Sequence, residues 1–323
     1  MIGERRHISG HQLLGVVRAA FGKRWLESVR RLAGGTSKGV YRLTLDDGRT
    51  AIAYVWHADE NFWPEPDTGM FGAQGLDAFA AAHTALCGVG VRVPEVVMLD
   101  RSGTFVEGEV AVVEDVRCGS LATVEPARAE PVLRRLGQTI RQLHGCGADR
   151  YGPPGAALPA GARPVENIVL DRALADLATA AGQVDRIATV RDRLSEALLT
   201  RHAAVAPRTR YGLIHGELGP DHVLVDDHDD PVLIDIEGTM SFDVEWEHAY
   251  LELRFGDRYR YLAAEGLDGD RLRFYRLATY LSLVAGPLRL LAGDFPDRDA
   301  MNAIVSANIE RTLGQLSGMD FAD

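Results

Sequence analysis

Apolar positions follow two rhythms along the chain. Leu13, Leu14, Val17, Ala20 and Phe21 recur at helical spacing, which predicts one amphipathic helix before the first strand. The rhythm then shortens, and residues 25–33, 40–45 and 51–56 read as three antiparallel strands. Gly34-Gly35-Thr36-Ser37-Lys38-Gly39 turns the chain between the first two, and an Asp47-Gly48 turn joins the next two. A helix is expected over residues 75–86, a strand opening at Val91, and another over residues 110–113. Beyond these the helical period dominates. Leu133, Leu136, Ile140 and Leu143 make one stripe, and Val190, Leu194 and Leu198 a second. A third runs over residues 274–291, interrupted by Gly286-Pro287.

Two stretches break the pattern with proline and glycine. Residues 61–75 read as a loop, either covering a ligand or pinned by its own aromatics, and residues 151–164 as a connection or substrate-facing insert. A third departure, between Leu213 and Glu247, sets polar residues among short apolar runs in the layout of a loop, a β-hairpin and a second loop.

Composition narrows the choices. A chain of 323 residues, 46% hydrophobic, buries a full core and suggests two lobes. The net charge of −11 argues against a nucleic-acid partner, which needs a basic face, and suits a cationic small molecule better. Cys87, Cys118 and Cys146 cannot all pair within the chain and show no CxxC spacing, so a cytoplasmic location is expected. No run of 18 apolar residues occurs and the N-terminus lacks a signal-peptide core, so no membrane is expected either.

The chemistry sits in the Leu213 to Glu247 region. Glu217 follows His215-Gly216, His222 stands five residues after it, and Asp235 ends the apolar run Val232-Leu233-Ile234. Protein-kinase-type enzymes place a carboxylate, a metal ligand five residues on, and a second metal-binding carboxylate after the next hairpin. On these residues the chain resembles the aminoglycoside phosphotransferase family. The resemblance spans nearly the whole chain but is specific only in this region.

The resemblance implies an α+β, two-lobed protein-kinase-like fold: an N-lobe with an antiparallel sheet over residues 1–114 and a larger, mainly helical C-lobe over residues 115–323. It implies a nucleotide-dependent O-phosphotransferase that passes a γ-phosphate to a hydroxyl of a small molecule, an aminoglycoside or other antibiotic among the candidates. Glu217 would orient or deprotonate the hydroxyl, and Asp235 with His222 would hold Mg²⁺ against the phosphates of ATP or GTP. Gly35, Thr36, Ser37 and Lys38 would cradle the phosphates through backbone N–H groups, hydroxyls and a charge. Glu114 and Val116 would meet the purine edge. His215 and Glu247 would support the loop from beneath, and Glu237, Asp243 and Glu245 would add acidity toward a cationic acceptor.

Three departures qualify that picture. Glu217 replaces the family's aspartate, moving the carboxylate by roughly 1 Å. His222 replaces the usual asparagine, as in macrolide kinases, and brings Mn²⁺ into consideration. The third strand, AIAYVWH, has no lysine for the phosphates: Tyr54 or a neighbour stands there, leaving Lys38, Arg42 or His57 to supply the charge. The helix over residues 75–86 offers Asp77 but no glutamate to pair with it. A catalytically inactive ligand-binding protein of the same fold is the alternative that these departures keep open.

Overall fold

The computed structural model describes residues 5, 7–63, 71–156 and 163–316. Parts of both proline- and glycine-rich stretches, residues 64–70 and 157–162, lie outside the described residues. The chain divides into two compact units, Met1–Arg135 with Pro220–Gly238, and Leu136–Gly219 with Thr239–Asp323. This differs from a single cut after residue 114, because the hairpin bearing His222 and Asp235 groups with the N-terminal sheet.

The first unit is built on a five-stranded antiparallel sheet in the order β1-β2-β3-β5-β4, formed by Leu26–Arg31, Gly39–Leu45, Thr50–Trp56, Glu109–Glu114 and Val96–Asp100 respectively. Helix α1 (Gly10–Phe21) starts at Ser9, whose backbone N–H donates to Gln12 Oε1 at 2.9 Å. It buries Leu13, Val16 and Val17 against one sheet face made by Tyr41, Leu43, Ala51, Ala53, Val55, Val110 and Val112. The other face of β3 meets α2 (Gly75–Gly88): the Phe79 ring lies 5.6 Å from Tyr54 and 5.8 Å from Trp56, centre to centre. Because both faces are covered, β3 reads as a continuous apolar run rather than an alternation. The strand expected from Val91 begins only at Val96, since Pro94 has no N–H for a ladder. The Arg92 carbonyl instead accepts the Leu233 N–H of β8 (Pro231–Leu233), which pairs with β7 (Val223–Val225).

Helix α3 (Pro126–Gly145) begins in the first unit and ends in the second. The second unit holds α4 (Val165–Ala181), α5 (Asp185–Thr189), α6 (Arg191–Ala203), α7 (Val244–Phe255), α8 (Gly269–Ala292) and α9 (Arg298–Gly314). A two-stranded ladder joins β6 (Gly212–Ile214) to β9 (Met240–Phe242). The sequence stripes did not single out α4 or α9. Helix α8 runs through Gly286-Pro287 without ending there, contrary to the expected interruption. One proline removes one helical hydrogen bond, while Leu281, Val284, Ala285 and Leu290 are buried on both sides of it and hold the helix by packing. No helix among the described residues is long and apolar enough to cross a membrane.

Candidate active site

The glycine-rich turn is shaped by contacts that only glycine tolerates. A Cβ on Gly35 would lie 2.2 Å from the Lys38 carbonyl oxygen, and one on Gly39 would lie 2.7 Å from the buried Glu60 carboxyl carbon. Glu60 accepts from the Tyr41 hydroxyl and from Arg31 at 2.8 Å, so β1 and β2 are tied together behind the turn. From the front, Phe62 N–H donates to the Thr36 carbonyl at 2.8 Å, and the Trp63 indole N–H to the Thr36 hydroxyl at 3.3 Å. Ser37 is half-buried beside it.

Lys38 closes the turn, and it is one of only two lysines in the chain. Its residue is 5% exposed. The ammonium donates to Asp235 Oδ1 at 2.7 Å and to Glu237 Oε1, and lies 5.3 Å from the centre of the Tyr54 ring. An ammonium thus lies beside Tyr54 of β3, because Lys38 directly precedes β2, where Val40 pairs with Tyr54. Burial would depress the Lys38 pKa, but the charges of Asp235 and Glu237 outweigh it and hold the ammonium above its ordinary value. The other two candidates are engaged elsewhere. Arg42 donates to Asp115 at 2.9 Å, and His57 Nδ1 accepts the Asp59 N–H at 3.1 Å.

Asp235 follows β8 in a left-handed backbone conformation, φ 59°, uncommon for a residue other than glycine and a form of local strain that recurs at functional sites. Its side chain is 46% exposed, whereas that of Glu237 is 9% exposed. His222 Nε2 lies 3.7 Å from Asp235 Oδ2 and 3.8 Å from Asp221 Oδ2, and the His222 carbonyl accepts the Ile234 N–H at 3.0 Å. Lys38, His222, Asp235 and Glu237 therefore form one cluster within the first unit. Glu237, expected to face the acceptor, is instead a buried partner of Lys38. Asp77 of α2 bonds Arg101 at 2.8 Å on the surface, so it does not take that place.

Glu217 belongs to the second unit. It is exposed, between buried Gly216 and Leu218, and its charge pushes up the buried Tyr250 phenol, after desolvation the strongest influence there. The loop is fixed from below: Glu247 accepts the His215 N–H at 2.6 Å, and His144 Nε2 lies 3.9 Å from the same carboxylate. His248 sits beside this group, with its ring 5.1 Å from that of His144 and its Nδ1 2.9 Å from the Tyr259 hydroxyl. Burial, then the neighbouring His144, lower the His248 pKa to about 4.

Asp243 and Glu245 do not line an acidic surface, which corrects the expectation from charge alone. Both are buried. Asp243 is held by Arg271 and accepts from Tyr275 Oη at 2.5 Å. Glu245 takes two bonds from Arg208, 2.6 and 2.9 Å, and accepts the Asp268 N–H at 3.0 Å. Charges this deep are retained only when paired and hydrogen-bonded, so their work is to brace α7 and the start of α8. Glu114 has its N–H on the Glu95 carbonyl and its carboxylate on Arg92 at 2.7 Å, while Val116 is buried. The pairing of Glu237 with Lys38 escaped the sequence reading. The signal was present in the scarcity of lysine and in the glutamate two residues after Asp235.

Among the described residues, no group of three or more His, Cys, Asp or Glu side chains is placed to hold a metal ion. Mg²⁺ needs no such cage, since it keeps waters and binds through one or two carboxylates with substrate phosphates. The donor set fits a cation: two carboxylates already close on an ammonium, with His222 alongside.

The family profile described as "Phosphotransferase enzyme family" (APH) matches residues 28–281. A search of curated sequences returns no match. Among solved structures, a spectinomycin phosphotransferase in complex with ADP and spectinomycin aligns with TM-score 0.67 at 12% identity, covering 96% of this chain and 99% of that one. An apo aminoglycoside phosphotransferase, a thermostable mutant, aligns with TM-score 0.63 at 16% identity, covering 92% and 98%. Choline kinase LicA from Streptococcus pneumoniae aligns with TM-score 0.64 at 13% identity, covering 95% and 98%. At these identities the likeness is one of fold, the α+β protein-kinase-like fold.

Proposed function

Because the chain belongs to the phosphotransferase enzyme family, we propose that it is an active small-molecule kinase, transferring the γ-phosphate of ATP or GTP to a hydroxyl. The observation that carries this reading is Lys38. It sets a buried ammonium against two carboxylates at the end of a glycine-rich turn, beside the place on β3 where a phosphate-binding charge is needed.

In this reading Gly35, Thr36 and Ser37 present N–H and hydroxyl donors to the phosphates, and Lys38 adds a compact positive charge with three donors. The backbone around Glu114 and Val116 meets the base. Asp235, with His222 beside it, would hold a divalent cation, Mg²⁺ or Mn²⁺, which when bound neutralises charge on the phosphates. Glu217 orients the acceptor hydroxyl and receives its proton. The acceptor oxygen forms its bond to the γ-phosphorus, the bond from phosphorus to the β–γ bridging oxygen breaks, and the electron pair leaves on the nucleoside diphosphate.

The acceptor is a small hydroxylated molecule. The spectinomycin enzyme and choline kinase make antibiotics and amino alcohols the first compounds to test. The charge argument for a cationic acceptor is weakened, since Asp243, Glu245 and Glu237 are all engaged internally. The deciding experiment measures ADP and GDP release, with mass-spectrometric detection of a phosphorylated product, across a panel of antibiotics, sugars and amino alcohols with Mg²⁺ and with Mn²⁺. Metal-dependent turnover of one acceptor is expected. Tight nucleotide binding with no product across the panel, and no slow nucleotide hydrolysis, would favour the inactive ligand-binding alternative.

A further inference from the structure

Lys38 is held by two carboxylates of unlike setting. Asp235 is nearly half exposed, so solvent-borne ions reach it, whereas Glu237 is buried and cannot change partners without opening its surroundings. The lysine stem is buried as well, and the ammonium sits beside Tyr54, the place on β3 where a phosphate-binding charge is needed. An ammonium has three N–H donors on a rotatable end, so one bond can persist while another is exchanged. A divalent cation on Asp235 repels an ammonium held on the same carboxylate in a partly dry setting and so weakens the bond from Lys38.

We propose that Lys38 is the built-in counter-cation of Asp235 in the nucleotide-free protein, and that it yields this carboxylate to a divalent metal while pivoting on Glu237 toward the phosphates. The proposal rests on the phosphotransferase reading above and adds a linkage to it. Metal alone binds weakly, because it must displace the lysine into a site with no phosphate to receive it. Nucleotide gives the displaced ammonium a partner, so each ligand strengthens the other. Glu237 is a positioning residue in this scheme: it acts through Lys38, in the place that a helix glutamate fills in the resemblance drawn from the sequence.

The composition supplies the experiment. Lys38 and the exposed Lys23 are the only lysines, so amine-reactive labelling followed by mass spectrometry reads Lys38 with an internal reference. In the natural protein, Mn²⁺ without nucleotide is expected to raise Lys38 labelling relative to Lys23 by about tenfold, and ADP with Mn²⁺ to restore protection. Lys38→Met is expected to raise Mn²⁺ affinity, followed by the spin resonance of the free ion, by about tenfold in the absence of nucleotide. The same substitution is expected to lower affinity for ADP by a similar factor. A merely structural lysine would lower both. Glu237→Gln is expected to raise Lys38 labelling before any metal is added. Unchanged or weaker Mn²⁺ binding by folded Lys38→Met, or Lys38 labelling indifferent to Mn²⁺ in the natural protein, overturns the exchange. Should Lys38→Met not fold, labelling of the natural protein decides alone. Protein that binds ADP and Mn²⁺ without either effect keeps the phosphotransferase reading and loses the exchange; protein that binds neither loses both.

Discussion

Glu217 is one methylene longer than the aspartate that the resemblance expects, and a 1 Å displacement at a reacting hydroxyl costs about 100-fold. In the proposed reading Lys38, from the turn just before β2, supplies the charge absent from β3, so the site is rebuilt around other residues rather than eroded. Shortening the side chain should therefore harm. Glu217→Asp is expected to lower kcat by about 100-fold with little change in nucleotide KM, measured on whichever acceptor the panel identifies. A rise in kcat would mark the natural glutamate as a compromised base. Asp235 offers a cleaner loss. Asn tolerates a left-handed backbone better than Ala does, so Asp235→Asn should leave thermal unfolding close to that of the natural protein. Removing its charge is expected to reduce turnover by more than about 100-fold. Unchanged turnover would exclude Asp235 from the metal. These residue types and their spacing were legible in the sequence. The left-handed turn at Asp235 and the partner of Lys38 were not, because both depend on which strands lie side by side.

Helix α7 gathers the loop's supports, and its His248 makes the element sensitive to pH. The groups facing His248 are His144 of α3, Tyr259 of the segment Gly256–Tyr261, and Glu245 and Glu247 of its own helix. Its folded pKa of about 4 lies below the usual 6.5, so the unfolded chain takes up a proton first as pH falls. Stability from this group is complete above about pH 6.5 and is lost progressively down to about pH 4, a total of about 3 kcal/mol. Urea unfolding between pH 7 and pH 4.5 should show that decline, and His248→Gln should flatten it. An equally steep decline in the variant would assign the effect to other groups. At this scale the periodicity of apolar residues carried far, placing α1, α2, β2 and β3 within a few residues. It failed where packing overrides local chemistry, at Pro287 inside α8, and where proline defers a strand, at Pro94.

Across the whole chain the charges are arranged in depth as well as on the surface. Arg271, Asp243, Tyr275 and Glu245 are buried and form a network with the half-buried Arg208 in the second unit, which composition reported only as acidity. Asp243→Ala strands Arg271 without its main partner and should cost about 3–5 kcal/mol in urea unfolding. The double variant Asp243→Ala with Arg271→Met should recover part of that loss. Simple additivity of the two substitutions would deny their coupling. Charge balance could not reveal this arrangement, since an acidic residue reads the same in a formula whether it meets water or a buried guanidinium. The two-part make-up of the first unit has a further consequence, for the chain as it is born. The ribosome releases β1 to β5 early, then makes α4, α5 and α6 before the hairpin that completes that unit has left the exit tunnel. Throughout that interval Lys38 has emerged but its two carboxylates have not, and the nascent sheet waits for the segment that will neutralise it.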